Sequence, residues 1–273
     1  MENPQFLTAA FSGDPAGRHH GIDLQDADDS GTNFSFGRGV FGITEVQYLM
    51  NQGKAADGPL AVYKLGAWYH SAGFSDERLD NLGNSLASPS STGVPMRHRG
   101  NYAIHAVADQ AVWRDGDAEG LNLFTRNGGA PADRNVITFY ADAGAALRGA
   151  IPGRADDTLG VAVSHSRVSS DASQLDRDAQ IFSGVATPVR DHETIIEWTY
   201  IAQVAPWWNV QPDVQHFIHP GDHIPDPNDP GRAIPDALVL GLRTTLKFLL
   251  RSPRSFAPAS RRRDTSHPPA QRR

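Results

Sequence analysis

At positions 237–248 the even residues Leu238, Leu240, Leu242, Thr244, Leu246 and Phe248 are mostly apolar, while the odd ones include Gly241, Arg243, Thr245 and Lys247. A period of two puts the sets on opposite faces of an extended strand, one greasy and one basic. Residues 193–204 repeat the pattern, with Ile196, Trp198, Tyr200, Ala202 and Val204 against Glu197, Thr199, Ile201 and Gln203. In 60–70, Tyr63, Leu65, Ala67 and Tyr69 oppose Lys64, Gly66, Trp68 and His70. In 136–147, Ile137, Phe139, Ala141, Ala143, Ala145 and Leu147 oppose Thr138, Tyr140, Asp142 and Gly144. Less regular strands are predicted at 41–50, 102–113, 121–126, 158–166 and 210–218, and 6–11 reads as the tail of another. For 102–113 neither phase is clean: Gln110 spoils one, and His105 and Asp109 the other.

The tally is about nine or ten strands, and no helix of ordinary length is predicted. Several strands have 10 to 12 residues. Globular strands average roughly 5 to 6, whereas a tilted membrane-crossing strand needs roughly 9 to 11. Short links such as 205–209 alternate with long ones such as 71–100 and 169–191, the loop asymmetry of membrane barrels. Tyr63, Tyr69, Trp198, Trp207, Trp208 and Phe248 are placed near strand ends as interfacial girdle residues. The fold class expected is all-β, a transmembrane antiparallel β-barrel. A soluble, lectin-like β-rich protein would also alternate and is the competing reading.

Composition sharpens this only in places. The 273 residues include no cysteine, so neither disulfides nor thiolate metal sites contribute. Met1-Glu2-Asn3-Pro4 has neither a basic n-region nor an apolar h-region, so no signal peptide is read. The longest aliphatic stretch, 237–242, is far short of the roughly 20 residues of a spanning helix. Net charge is −6, but residues 249–273 hold seven arginines against one acid, giving +6 there and −12 over 1–248. With Ser and Pro interleaved, 249–273 reads as a disordered tail rather than a nucleic-acid arm, leaving 1–248 as one partial barrel domain.

Enzyme readings fare poorly. His216, His219, His223 and Asp222 have spacings that could ligate zinc, but His216 shares the apolar phase of Val214 and Ile218, and Pro220 forbids an aligning helix. There is no Gly-x-Ser-x-Gly elbow and no phosphate-binding glycine loop. No catalytic residue, metal site or cofactor is expected.

Longer motifs carry a resemblance. These are Tyr63-Lys64-Leu65-Gly66-Ala67-Trp68-Tyr69 with Gly73-Phe74, Gly100-Asn101-Tyr102, and Ala106-Val107-Ala108-Asp109-Gln110-Ala111-Val112-Trp113-Arg114. Gly120-Leu121-Asn122-Leu123-Phe124, Ile151-Pro152-Gly153-Arg154, and Pro235-Asp236-Ala237-Leu238-Val239-Leu240 continue the order. Over about residues 40–248 the chain resembles the OprB family of carbohydrate-selective porins. The resemblance implies a 16-stranded barrel in the bacterial outer membrane, of which this chain supplies about nine or ten strands. It implies passive diffusion of glucose-like sugars, with outer-membrane lipid and the barrel-assembly machinery as partners and a homo-oligomer allowed. Met1 reads as an internal start and 249 onward as an extension past the terminal aromatic Phe248.

On that reading the polar phase faces the lumen. It carries Lys64, Trp68, Tyr140, Asp142, Glu197, Gln203, Arg243 and Lys247, together with Glu45, Gln47 and Arg126. A charge there serves either a solvating wall ladder or a sugar contact. Trp68 either stacks on sugar or packs under an inward loop.

Overall fold

A computed structural model describes residues 4–14, 35–51, 58–115 and 119–248, with the side chains of 4–14, 35–38, 115 and 119 left aside. The start at Met1 and the tail expected at 249–273 lie outside the described residues.

Ten strands form one sheet in chain order: β1 Pro4–Asp14, β2 Ser35–Met50, β3 Ala61–Asp80, β4 Pro95–Asp115, β5 Glu119–Gly129, β6 Ile137–Arg148, β7 Thr158–Val168, β8 His192–Ala205, β9 Trp208–Ile218 and β12 Ala237–Leu246. Every neighbouring pair is antiparallel. A small ribbon of β10 Pro225–Asp226 and β11 Asp229–Ala233 sits in the link before β12. Among the described residues β1 and β12 do not pair, so the sheet is an open arc of a barrel wall. No helix among them is long and apolar enough to cross a membrane, which leaves crossing by strands untouched.

All ten expected strands are present, with two differences. The link expected at 71–100 is mostly strand: β3 has 20 residues and β4 has 21, so only 81–94 remains as loop. Residues 71–80 do not alternate because a hairpin standing in water has no apolar face to cover. Its tip is tied down by Asp80, whose fully buried carboxylate accepts the amides of Leu82, Asn84 and Thr92 at 2.8–2.9 Å.

The second difference is a 14-residue helix, α1 Ser170–Ser183, inside the link 169–191. Its apolar periodicity is faint, but its ends are well signalled. Ser169 caps the Ala172 amide, and Gly184 takes the left-handed conformation after the last turn. Asp178 of α1 pairs with Arg78 of β3 at 2.8 Å, fastening the helix to the hairpin.

Burial is inverted relative to a soluble fold. Among the described residues only Ala61, Ala111, Val168 and Ala172 are buried hydrophobics, whereas the buried polar set includes Asp76, Asp80, Asn101, Asp142, Asp157 and Asp178. Leu65, Ile104, Leu238, Leu240 and Leu242 are 63–76% exposed on one face of the sheet. A soluble sandwich would cover that face with a second layer; among the described residues no second sheet packs on it.

The link 149–157 is braced by Asp157. Its carboxylate accepts from Tyr200 Oη, from Arg154 Nε at 2.7 Å and from the Gln203 amide at 2.9 Å. Burial pushes this carboxyl up, but those three bonds outweigh it and hold the group below the ordinary carboxylate range. A depressed folded-state value gives stabilisation that is complete above the unfolded value of about 3.9 and is lost as pH falls through the folded one. Urea midpoints of the refolded protein at about pH 6 and about pH 3 should therefore differ, and Asp157→Asn should narrow the gap. An unchanged gap in the variant would remove Asp157 as its source.

Candidate functional site

Paired residues on adjacent antiparallel strands share a face, so the register assigns every side chain. Lys64 pairs with Gln47 and Val107, Gly66 with Glu45 and His105, and Trp68 with Ile43 and Ala103. Arg126 pairs with Val107 and Asp142, Gly128 with Tyr140, Glu197 with Gln215, and Arg243 with Gln211. Glu45, Gln47, Lys64, Trp68, Arg126, Tyr140, Asp142, Glu197 and Arg243 thus lie on one polar face. The opposite face carries Tyr63, Leu65, Tyr69, Trp198, Leu240 and Leu242. The same pairing resolves β4: Tyr102, Ile104, Ala106 and Ala108 lie on the apolar face, while Asn101, His105 and Asp109 lie on the polar one. Gln110 belongs to the apolar phase but sits near the turn end, where Tyr63 Oη donates to its amide oxygen at 2.5 Å.

The polar face consists of linked pairs. Glu45 accepts from Gln47 Nε2 at 2.7 Å, meets His105 Nε2 at 3.0 Å and lies 3.6 Å from Lys64 Nζ. Gly66 makes room for that group, since a Cβ there would collide with the His105 ring. Asp142 is 5% exposed and binds Arg126 through Nη2 at 2.6 Å and Nε at 3.1 Å, while Tyr140 Oη donates to it at 2.8 Å. Asn122 donates to Asp109 at 2.8 Å, and Gln215 to Glu197 at 3.1 Å. His105, Asp109, Asn122 and Gln215 were absent from the sequence-derived set. Gln215, on the phase opposite His216, and Asn122, on the phase of Arg126, follow from strand alternation, whereas His105 and Asp109 depend on the β4 register.

Three expected positions need restating. The Gln203 side chain turns back to the carbonyls of Ala205 and Trp208, bracing the two-residue turn instead of projecting from the wall. Lys247 lies past the end of β12, where its amide bonds Trp207 O. Trp198 is at the middle of β8, paired with Val161 and Val214, rather than near a strand end. Trp207 in the β8–β9 turn and Trp208 at the start of β9 have rings stacked 6.2 Å apart, and Phe248 is 84% exposed.

Trp68 belongs to an aromatic row. Its ring lies 5.8 Å from Phe41, which is 6.1 Å from His70, which meets Phe74 edge-on at 5.5 Å. The row runs along β2 and β3 toward the long-link end. Arg243 is exposed and has no side-chain partner among the described residues.

A family model described as carbohydrate-selective porin, OprB family, matches residues 3–248. Porin B of Pseudomonas aeruginosa is 27% identical over 169 residues, covering 58% of this chain and 37% of that protein. The high-pH structure of Pseudomonas putida OprB superposes with a TM-score of 0.75 at 24% identity, over 90% of this chain and 56% of that one. The chain therefore spans little more than a third of the curated relative and about half of the solved structure.

Proposed function

Because the chain belongs to the OprB family of carbohydrate-selective porins, we propose that its polar face lines a water-filled path through the bacterial outer membrane, down which small neutral sugars such as glucose diffuse passively. The observation that carries this is the division of the sheet. One face is apolar and uncovered, as contact with lipid requires, and the other carries linked groups of hydrogen-bonding side chains. Water and sugar hydroxyls need such a wall, whereas backbone groups are already satisfied in the strand ladder.

Within this path the roles divide. Glu45, Gln47, Lys64, Arg126, Tyr140, Asp142, Glu197 and Arg243 form the solvating wall, and Trp68 offers a flat ring on which a sugar face can stack. Tyr63, Tyr69, Trp207, Trp208 and Phe248 serve as the interfacial girdle, with the terminal aromatic available to the assembly machinery. Tyr63 and Tyr69 are separated by six positions, roughly 20 Å of strand, inside an apolar band roughly 25 Å tall.

Planar-bilayer recording on the channel these strands build, with glucose-like sugars as blockers, tests the reading. Sugar-dependent current interruptions are expected, shortened about tenfold in Trp68→Ala if stacking contributes about 1.4 kcal/mol. A channel indifferent to sugars would overturn carbohydrate selectivity, and unchanged blocking in the variant would remove Trp68 from the contact.

A further inference from the structure

At the long-link end of the sheet four histidine rings stand in a row. His165 of β7 lies opposite Thr194 and shares the face of Val163, Ile196 and Trp198. Its ring is 5.2 Å from His192, which is 4.6 Å from His219, which stacks on His223 at 4.1 Å. The carboxylate at this row is Asp191. Its Oδ1 lies 3.1 Å from His219 Nδ1, 3.3 Å from His192 Nδ1 and 3.8 Å from His223 Nδ1.

We propose that Asp191, His192 and His219 bind a divalent transition metal of the zinc class. Their ligand atoms all lie within 4.8 Å of one another. Tetrahedral ligands at about 2.0 Å from zinc are about 3.3 Å apart, and the two closest separations to Oδ1, 3.1 and 3.3 Å, lie at or just under that value. Imidazole ligates a metal through a ring nitrogen, and His192 and His219 both turn Nδ1 toward Asp191 Oδ1. Two imidazoles and a carboxylate leave a fourth coordination position open, as borderline metals accept.

The chain goes to some length to bring these groups together. His219, Asp222 and His223 all adopt positive φ, at 54°, 64° and 70°. These left-handed residues replace the helix that Pro220 forbids, and they carry His219 and His223 back over the start of β8. His165 is already engaged with Thr194 Oγ1 at 2.9 Å, and His223 lies 3.3 Å from Val189 O, so both support the site from outside the ligand set. His216, the other histidine of the 216–223 spacing, pairs with Ile196 and Leu238 lower on the apolar face and takes no part. The site lies at the strand ends, where Gly221 and Asp222 of the same segment bond Glu193 and Ser166 of the polar face, and the cobalt bands read metal binding independently of conductance.

The test is a cobalt titration of the full chain refolded in detergent, followed by the visible bands of four- or five-coordinate Co²⁺ and by displacement with Zn²⁺. One equivalent is expected to bind. His192→Ala and His219→Ala should each weaken binding more than about 100-fold, beyond what an outer-shell change produces, while His216→Ala leaves it intact. Circular dichroism of each variant confirms that the sheet is retained. The absence of stoichiometric cobalt bands in the unmodified protein would overturn the proposal, whatever the variants do. So would equal binding by the His192 and His219 variants, or equal loss in His216→Ala.

Discussion

Leu242→Arg is expected to deplete the folded, heat-modifiable form of the protein by roughly 30- to 1000-fold relative to the unfolded one, the equivalent of the roughly 2 to 4 kcal/mol that a cation costs at the midplane of a barrel's lipid face. Leu242 is 76% exposed, pairs with Pro212, and has Leu240 and Thr244 on its own face. Its neighbour Arg243 points the other way, so Arg243→Leu removes a charge from a wet wall and should leave the folded band within about twofold of the parent. Semi-native gel electrophoresis after refolding into vesicles reads both. Equal losses in the two variants would mean that the faces of β12 have been exchanged.

Arg126→Ala should cost about 2 to 3 kcal/mol in urea unfolding from vesicles, because it leaves the nearly buried Asp142 carboxylate without its guanidinium partner. The expectation sits below the roughly 3 to 5 kcal/mol of a fully stripped buried pair, since Tyr140 Oη and the Arg126 amide still donate to Asp142. Replacing both residues together, as Arg126→Leu with Asp142→Leu, should recover most of that loss by leaving no unpaired charge. If the double variant is no better than Arg126→Ala, the cost comes from the wall packing around Arg126 and not from the orphaned carboxylate.

Alternation carried most of the fold because lipid contact makes each spanning strand choose a face. That is why the phases of β3, β6, β8 and β12 could be read directly from the chain, and with them Lys64, Trp68, Tyr140, Asp142, Glu197 and Arg243. The signal fades wherever lipid is absent. Residues 71–80 are strand without alternation, and α1 is a helix with a weak apolar stripe, held by Ser169, Gly184 and the Arg78–Asp178 pair. In β4 the phases blur because Gln110, near the turn, puts a polar side chain on the apolar phase while His105 and Asp109 share the other with Val107 and Ala103. The histidine row was legible only in fragments. His219 and His223 stood out by spacing, but their partners Asp191 and His192 are almost thirty positions away and are joined to them by tertiary structure alone.

The β3–β4 hairpin has a consequence for how a cell carrying such a barrel is recognised from outside. Strands of 20 and 21 residues are about twice the roughly 9 to 11 that cross the hydrocarbon, and in this architecture the long links face outward. The surplus forms a mast whose head, residues 81–94, is already folded around the Asp80 carboxylate. A preformed head costs little ordering entropy on recognition, so an antibody raised against the folded protein would meet it as a fixed conformational epitope, with Leu82 and Val94 exposed upon it. A linear peptide copied from 81–94 would lack the strand ends that hold that shape and would make a poor immunogen for the native surface.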